Sequence, residues 1–404
     1  MAADVSALPA AATTAIGPDD VPERGVNRTL DRLVRTRIVV GGRRLPAFTT
    51  CGVAGLALAW VLALALVARR GLPLWPMAVV ALAAMATFLA LATITKVVTG
   101  EERLVYYHHE VAVLAAAALV LRLLDRPVLP YLDATILGVG AFLACGRIGC
   151  LLVGCCHGRP ARVGVRYRAE HAAAGFTPYY VGVRLLPIQA VESLWVLFVI
   201  AAGAALVWSG RTPGSALVWY VVAYDAGRFL FEFGRGDPDR PDRGGFSSAQ
   251  WLSVLLTVAV VVAGGIGWLP VRPWHAAVAA GLVLAMLAVA IHRRREAGER
   301  HRLCHPHHVR ELAGVLTRLT EPAPAVGGIP IGATSRGIRV SAGAIAGDAG
   351  AIEHYTLSAQ SGTLSMAAAR VLAGVIATLR VPGAGAEVLP GGSGVFHVVI
   401  RRSG

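Results

Sequence analysis

Eight long apolar stretches, separated by short polar joints, fill the middle of the chain: near 50–68, 74–98, 109–124, 131–154, 187–208, 214–233, 247–269 and 273–292. A bilayer core about 30 Å thick takes roughly 20 helical residues to cross, so the pattern predicts a bundle of membrane-spanning helices. The third stretch is short and carries Arg122. The reading is therefore seven or eight spans, the third being either a crossing or a re-entrant segment.

The pattern changes on both sides of this core. Residues 1–47 are polar, and Ile38-Val39-Val40 followed by Gly41-Gly42-Arg43-Arg44 predicts a short hairpin before the first span. This stretch has no apolar core of signal-peptide length, so the first span is expected to serve as its own insertion signal. Beyond Arg295, residues 300–404 alternate as a helix (309–319), strands (336–341 and 352–359), a helix (365–379) and a final strand (395–401), with Gly and Pro at the joints. The predicted fold class is an all-α integral membrane bundle of residues 48–292, carrying a small C-terminal soluble α+β module. Inside the bundle, residues 159–186 form a polar insert longer than an ordinary connection. It bears Arg159, Arg162, Arg166, Arg168, Arg184 and Tyr179-Tyr180, and reads either as an interfacial loop or as a substrate-handling one.

Composition agrees with a membrane protein. Apolar residues make up 55% of the chain and charged ones 15%, with mean hydropathy +0.61, unlike an ordinary soluble enzyme. The net charge of +14 is almost all arginine, Lys96 being the one lysine. These arginines sit at span ends and in loops and form no continuous basic face. Anionic lipid headgroups fit them better than nucleic acid, which is set aside as a partner.

Charges inside the spans carry the chemistry. Arg147 lies in Cys145-Gly146-Arg147-Ile148-Gly149-Cys150 near the end of the fourth span. An arginine at bilayer depth costs about 2.5–3.5 kcal/mol on insertion scales, so it persists mainly where it faces protein and meets an anion. In the sixth span Tyr224, Arg228 and Glu232 recur every four residues and form one helical stripe; in the fifth, Gln189 and Glu192 share a face. Two buried Arg/Glu pairs that only pin helices would add little over apolar packing, so the quartet Arg147, Arg228, Glu192 and Glu232 points to a polar substrate. His108 and His109, at the head of the third span, are candidate proton acceptors or interfacial anchors, with Glu110 in reserve.

Of six cysteines, Cys145, Cys150, Cys155 and Cys156 crowd one motif, which is no disulfide framework. Cys150, Cys155, Cys156 and His157 suggest either a reactive thiol or metal ligands, but tight packing of small residues between helices explains them as well. His301, Cys304, His305, His307 and His308 form a second and somewhat better metal candidate, though Pro306 and the surrounding arginines fit a solvated loop equally well. Neither group is assigned a metal, and no cofactor is expected.

At these residues the chain resembles the prolipoprotein diacylglyceryl transferases. Gly146, Arg147, Gly149 and Gly158 fall in register with the family signature Gly-Arg-x-Gly-Asn-Phe-x-Asn-x-Glu-x-x-Gly, and Cys150, Val153 and Cys155 replace its asparagines and acidic residue. Tyr224, Arg228 and Glu232 meet a later Tyr/Arg/Glu pattern. Pro187, Gln189 and Glu192 meet a His-Pro-x-Gln-x-x-Glu element whose histidine is here Leu186. The resemblance, over about 48–270, implies transfer of diacylglyceryl from phosphatidylglycerol to the lipobox cysteine of a preprolipoprotein in the bacterial plasma (inner) membrane, crossed many times. It implies Arg147, Arg228, Glu232, His108 and His109 as catalytic, and Gly149, Gly158, Gln189, Glu192 and Tyr224 with the two arginines as substrate-binding. Phosphatidylglycerol, lipobox peptides and other membrane lipids are the implied partners. A non-catalytic lipid or protein binder and a membrane thiol enzyme remain as alternatives.

Overall fold

The computed structural model describes residues 25–100, 106–238, 242–295, 298–320, 329–347 and 350–401. The first 24 residues of the expected polar segment lie outside the described residues.

A short helix α1 (Val26–Leu33) precedes the expected hairpin, β1 (Arg37–Val40) paired antiparallel with β2 (Arg43–Pro46). The apolar core follows as α2 (Ala47–Arg69), α3 (Trp75–Thr99), α4 (Tyr106–Leu123) and α5 (Val128–Val153). The polar insert comes next, then α7 (Ile188–Trp208), α8 (Ser215–Phe231), α9 (Ser248–Gly265) and α10 (Pro273–Arg295). Six of these, α2, α3, α5, α7, α9 and α10, are long and apolar enough to cross a membrane. The expected seven or eight spans are thus met by six on that measure. α4 opens on Tyr-Tyr-His-His-Glu, and α8 is 17 residues long with Asp225 and Arg228 inside it; each gives up apolarity or length to polar contacts within the bundle.

α5 is the hub, packing against α2, α4, α7 and α8. Helices in lipid gain no hydrophobic drive from each other and associate where small residues let their backbones approach. At Gly55 of α2 a Cβ would meet the Cβ of Cys145 at 2.7 Å, so only glycine permits this crossing of α2 and α5. The entry of α8 is tied to α5 by charge: Asp133 accepts hydrogen bonds from the backbone N–H groups of Gly214 and Leu217, both at 2.8 Å, placing an anion on the positive end of a helix. Further along, Asp225 of α8 accepts from Tyr107 of α4 (2.9 Å) and Thr257 of α9 (3.2 Å). These bonds fix the rotation of α8 and hence the direction of its arginine.

The polar insert folds into a small body of its own, with a short hairpin and a buried apolar cluster. β3 (Pro160–Arg166) pairs antiparallel with β4 (Arg184–Leu185), flanking a single-turn α6 (Ala169–Ala172). Val165, Tyr167, Phe176, Tyr180, Val183 and Leu185 bury together with Val34 and Leu151. Arg184 pairs with Asp31 of α1 at 3.1 Å and donates to the Gly164 carbonyl at 2.5 Å. Tyr180, expected at an interface, is buried, whereas Tyr179 is half-buried.

A two-residue hairpin, β5 (Asp242–Arg243) with β6 (Phe246–Ser247), leads into α9. After α10 come α11 (Gly298–Leu303), α12 (Pro306–Thr320) and an antiparallel sheet ordered β10-β11-β9-β8-β7. Its strands are β7 (Ile331–Ala333), β8 (Ile338–Gly347), β9 (Gly350–Ala359), β10 (Ala386–Gly392) and β11 (Val395–Arg401), with α13 (Met366–Arg380) between β9 and β10. Val340, Leu357, Val398, Leu372, Ile376 and Leu316 form the core between helices and sheet. β7 and β10 were not foreseen, because three residues with a glycine and a run ending Pro-Gly-Gly lack an alternating signal. The module is not a free appendage: Val309 of α12 and Val375 and Leu379 of α13 join the insert's apolar cluster.

Val309→Asp buries a charge in that contact, which is unfavourable without a partner. It is expected to leave the bundle inserted and to speed trypsin cleavage within residues 159–186 under limited proteolysis. An unchanged cleavage rate would show the contact to be incidental.

Candidate active site

Three helices bring the intramembrane charges together. Arg147 stands on α5 two turns before its end; Gln189 and Glu192 lie on the first two turns of α7; Tyr224 and Arg228 face them from α8. Two backbone contacts set the spacing: Ser193 Oγ donates to the Ala144 carbonyl at 3.0 Å, and Trp195 Nε1 donates to the Ala223 carbonyl at 3.0 Å.

Glu192 is the centre. Its carboxylate lies 3.0 Å from Arg147 Nε and 3.6 Å from Arg228 Nε, and accepts a hydrogen bond from Tyr224 Oη at 3.1 Å. Arg228 reaches Glu232 one turn on, at 2.5 Å. Glu232 then lies 3.4 Å from Arg235, whose guanidinium forks onto Asp237 at 2.8 and 2.9 Å. Arg147, Glu192, Arg228, Glu232 and Arg235 are all buried. Yet neither Arg147 Nε nor Arg228 Nη1 makes an aligned hydrogen bond among the described residues. Both are held by proximity of charge, Arg147 Nε to Glu192 and Arg228 Nη1 to Glu232. Buried donors of this kind are rare in a finished core.

The other expected site residues divide. Gln189 Nε2 donates to the Cys155 carbonyl at 2.8 Å, so its amide shapes the loop after α5. Gly149, expected to bind substrate, faces α2, where a Cβ would sit 3.2 Å from atoms of Cys51 and Phe48; it serves helix packing. Gly158 lies where the loop passes beneath Leu186, and a Cβ there would run into the Leu186 carbonyl. It bridges Arg235 in an isolated strand pair, while Gly236 N–H donates to the His157 carbonyl and Arg159 N–H to the Gly234 carbonyl, both at 2.9 Å. Gly158 thereby seats Arg235 without offering a side chain. Of the two histidines, His108 is exposed, and buried His109 packs its ring 4.8 Å from that of Phe88 on α3. The face of α4 turned toward α8 is that of Tyr106 and Tyr107, with buried Glu110 nearby. Tyr106 Oη meets Tyr220 Oη at 2.9 Å, and one carboxylate oxygen of buried Glu110 has no hydrogen-bond partner among the described residues.

Arg235 and Asp237 were missed. They lie in Gly-Arg-Gly-Asp-Pro-Asp, which reads as a solvated loop. The one available signal was that Arg235 stands three residues after Glu232, a helical neighbour if the turn continues, as it does through a 3-10 turn over Glu232–Gly234. A small polar cavity lies beside Glu232, bounded by Arg159, Asp242, Gln250, Arg293, His301 and His305. The histidines of the module therefore border the charged cluster. They do not converge as metal ligands: His305 faces Asp242 at 3.3 Å, His307 faces Glu311 at 3.4 Å, and His308 is bonded to the Leu303 carbonyl and to Thr334.

A family model described as prolipoprotein diacylglyceryl transferase matches residues 41–268, which contain the whole charged cluster. The chain belongs to the prolipoprotein diacylglyceryl transferase family. It is 33% identical over 140 residues to phosphatidylglycerol–prolipoprotein diacylglyceryl transferase 2 of Clostridium perfringens, covering 33% of this chain and 51% of that protein. It is 32% identical over 134 residues to the Clostridium tetani transferase (32% and 51%), and 33% identical over 132 residues to that of Dehalococcoides mccartyi (32% and 48%). The chain thus spans about half the length of the curated relatives it matches.

His301 supplies a pH test of the cavity wall. Burial, with Arg293, His305 and Arg159 nearby and only Asp242 opposing, lowers it from an ordinary 6.5 to about 4. The folded state then binds fewer protons than the unfolded one between these values, so the stabilisation is complete above pH 6.5 and is lost as pH falls toward 4. Melting of the purified protein should show this fall in stability, and His301→Gln should flatten it. A slope unaltered in the variant would assign the loss to other groups.

Proposed function

We propose that this protein is a phosphatidylglycerol–prolipoprotein diacylglyceryl transferase of the bacterial plasma membrane. In this reading α4 and α8 also cross, giving eight spans, and other membrane lipids surround them. The observation that carries the proposal is the pair of buried guanidinium groups, those of Arg147 and Arg228, whose Nε atoms converge on Glu192 from two helices. Phosphate is the ligand such donors suit, because a planar guanidinium pairs with its oxygens bidentately and stays charged.

The reaction is displacement at the glycerol carbon that joins the diacylglyceryl unit to phosphate. A carbon–sulfur bond to the lipobox cysteine forms as the carbon–oxygen bond breaks. The electron pair leaves on the phosphate, released as glycerol phosphate, and the thiol proton passes to a base. Arg147 and Arg228 hold the phosphodiester and stabilise the charge gathering on it as it leaves. Glu192 and Glu232 keep the arginines oriented and neutralised until substrate arrives, and Tyr224 holds Glu192 in place. Glu232 borders the cavity and is the preferred acceptor for the thiol proton, in place of His108 and His109, whose positions on α4 point elsewhere; Gln189 and Gly158 support the loop above it.

One observation favours the reading of a non-catalytic lipid binder: Cys150, Val153 and Cys155 stand at positions where the resemblance expects asparagine, asparagine and an acidic residue. Complementation of a transferase-depleted bacterium, read as lipobox-cysteine modification by mass spectrometry, separates the two. Wild type is expected to complement. Arg147→Ala and Arg228→Ala should each lower turnover by about 10²–10³-fold, the usual cost of removing one preorganised donor, while still inserting. Phosphatidylglycerol binding without lipobox modification would instead support the binder, and wild-type turnover in both variants would remove the phosphate clamp.

A further inference from the structure

The phosphate clamp leaves unused the three thiols at the end of α5. The Sγ atoms of Cys150, Cys155 and Cys156 all lie within 4.8 Å of one another, and none is in a disulfide. Sequence alone gave no reason to prefer ligands over packing here, since Cys155 and Cys156 are adjacent and Cys150 sits in a helix.

The backbone brings them together. Cys150 occupies the last turn of α5, and Gly154 ends that helix in the left-handed region at φ 92°, reversing the chain so that the next two residues come back over the helix end. Cys156 is itself left-handed, at φ +53°, a costly conformation outside glycine that persists only when its surroundings enforce it. Those surroundings are named bonds. Gln189 Nε2 holds the Cys155 carbonyl, Tyr167 Oη holds the Leu151 carbonyl at 2.9 Å, and Gly236 N–H holds the His157 carbonyl. The His157 ring is turned away to the Gly158 carbonyl and Thr177.

We propose that Cys150, Cys155 and Cys156 bind a thiophilic divalent d10 ion of the zinc class, with water as fourth ligand. Metal–sulfur bonds of about 2.3 Å place sulfurs roughly 4 Å apart around one ion, which small side-chain rotations reach from the observed spacing. Three thiol protons leave for solvent as three metal–sulfur bonds form; no oxidant is involved. The complex carries one net negative charge, opposite the guanidinium groups of Arg147 and Arg235, whose fields reach Cys156. Cys150 is buried and the other two are half-buried.

The test uses the reduced, chelator-stripped full chain in detergent, titrated with Cd2+ as a spectroscopic stand-in for Zn2+. A thiolate-to-metal charge-transfer band saturating at one ion per chain, with proton release, is expected. It should be lost in Cys155→Ser and Cys156→Ser, with helical circular dichroism unchanged, and kept in Cys304→Ser. The site is overturned by absence of the band, by its survival in the triple Cys150/Cys155/Cys156 serine variant, or by its loss in Cys304→Ser. A non-reducing thiol count below six, restored by reductant, would also overturn it, by showing that these thiols close a disulfide instead. No transferase activity is read, so the outcome stands apart from that of the proposed function.

Discussion

The whole arrangement hangs on one carboxylate, Glu192, held between two arginines where water cannot reach. Alone at such depth, an arginine or a glutamate is expensive. Paired, they are tolerated, and their mutual attraction becomes a rigid link among α5, α7 and α8. The chain of charges then runs through Arg228 and Glu232 to Arg235 and Asp237, leading from the interior of the bundle to its polar rim. Buried ion pairs are poor value as mere struts. In the proposed function the same guanidinium groups meet a phosphodiester, whose single negative charge adds to the cluster because Glu192 and Glu232 stay tethered beside them.

That link demands that the helices hold their rotation, and the rest of the bundle supplies this with few polar contacts. Asp133 caps the start of α8, Asp225 ties its middle to α4 and α9, and glycines at the α2–α5 crossing bring the hub helix close to its neighbour. Each contact is buried polar chemistry placed where apolar packing alone would let a helix turn. α4 and α8 give up apolarity or length because they carry much of this bonding.

Beyond the bundle, the insert and the C-terminal module form one rim around the mouth of the cluster. The insert's core takes in Val34, just after α1, and Val309 from α12, and the cavity beside Glu232 is bounded by Arg159 of the insert, Arg293 of α10 and His301 of α11. Parts distant along the chain thus meet above one site. A change in the module has a route to the charged cluster that does not pass through the membrane helices.

The sequence alone determined much of this, through local signals. Apolar runs located all eight helices of the core to within a few residues, since helix length and bilayer thickness leave little freedom, and the hairpin before α2, helices 309–319 and 365–379 and strand 395–401 were visible in period and turn chemistry. Arg147, Glu192, Arg228 and Glu232 stood out because charge is rare in apolar segments. What only the tertiary structure decided were relations between distant residues. That Glu192 serves two arginines, that Arg235 joins them from an apparent loop, that His108 faces outward, and that Gly149 packs against Cys51 and Phe48 and Gly158 against the Leu186 carbonyl all depend on helix rotation and on chain crossings that leave no periodic trace. The three thiols show the same limit: a left-handed turn at Gly154 and Cys156 makes neighbours of side chains whose spacing in sequence says nothing of where they point.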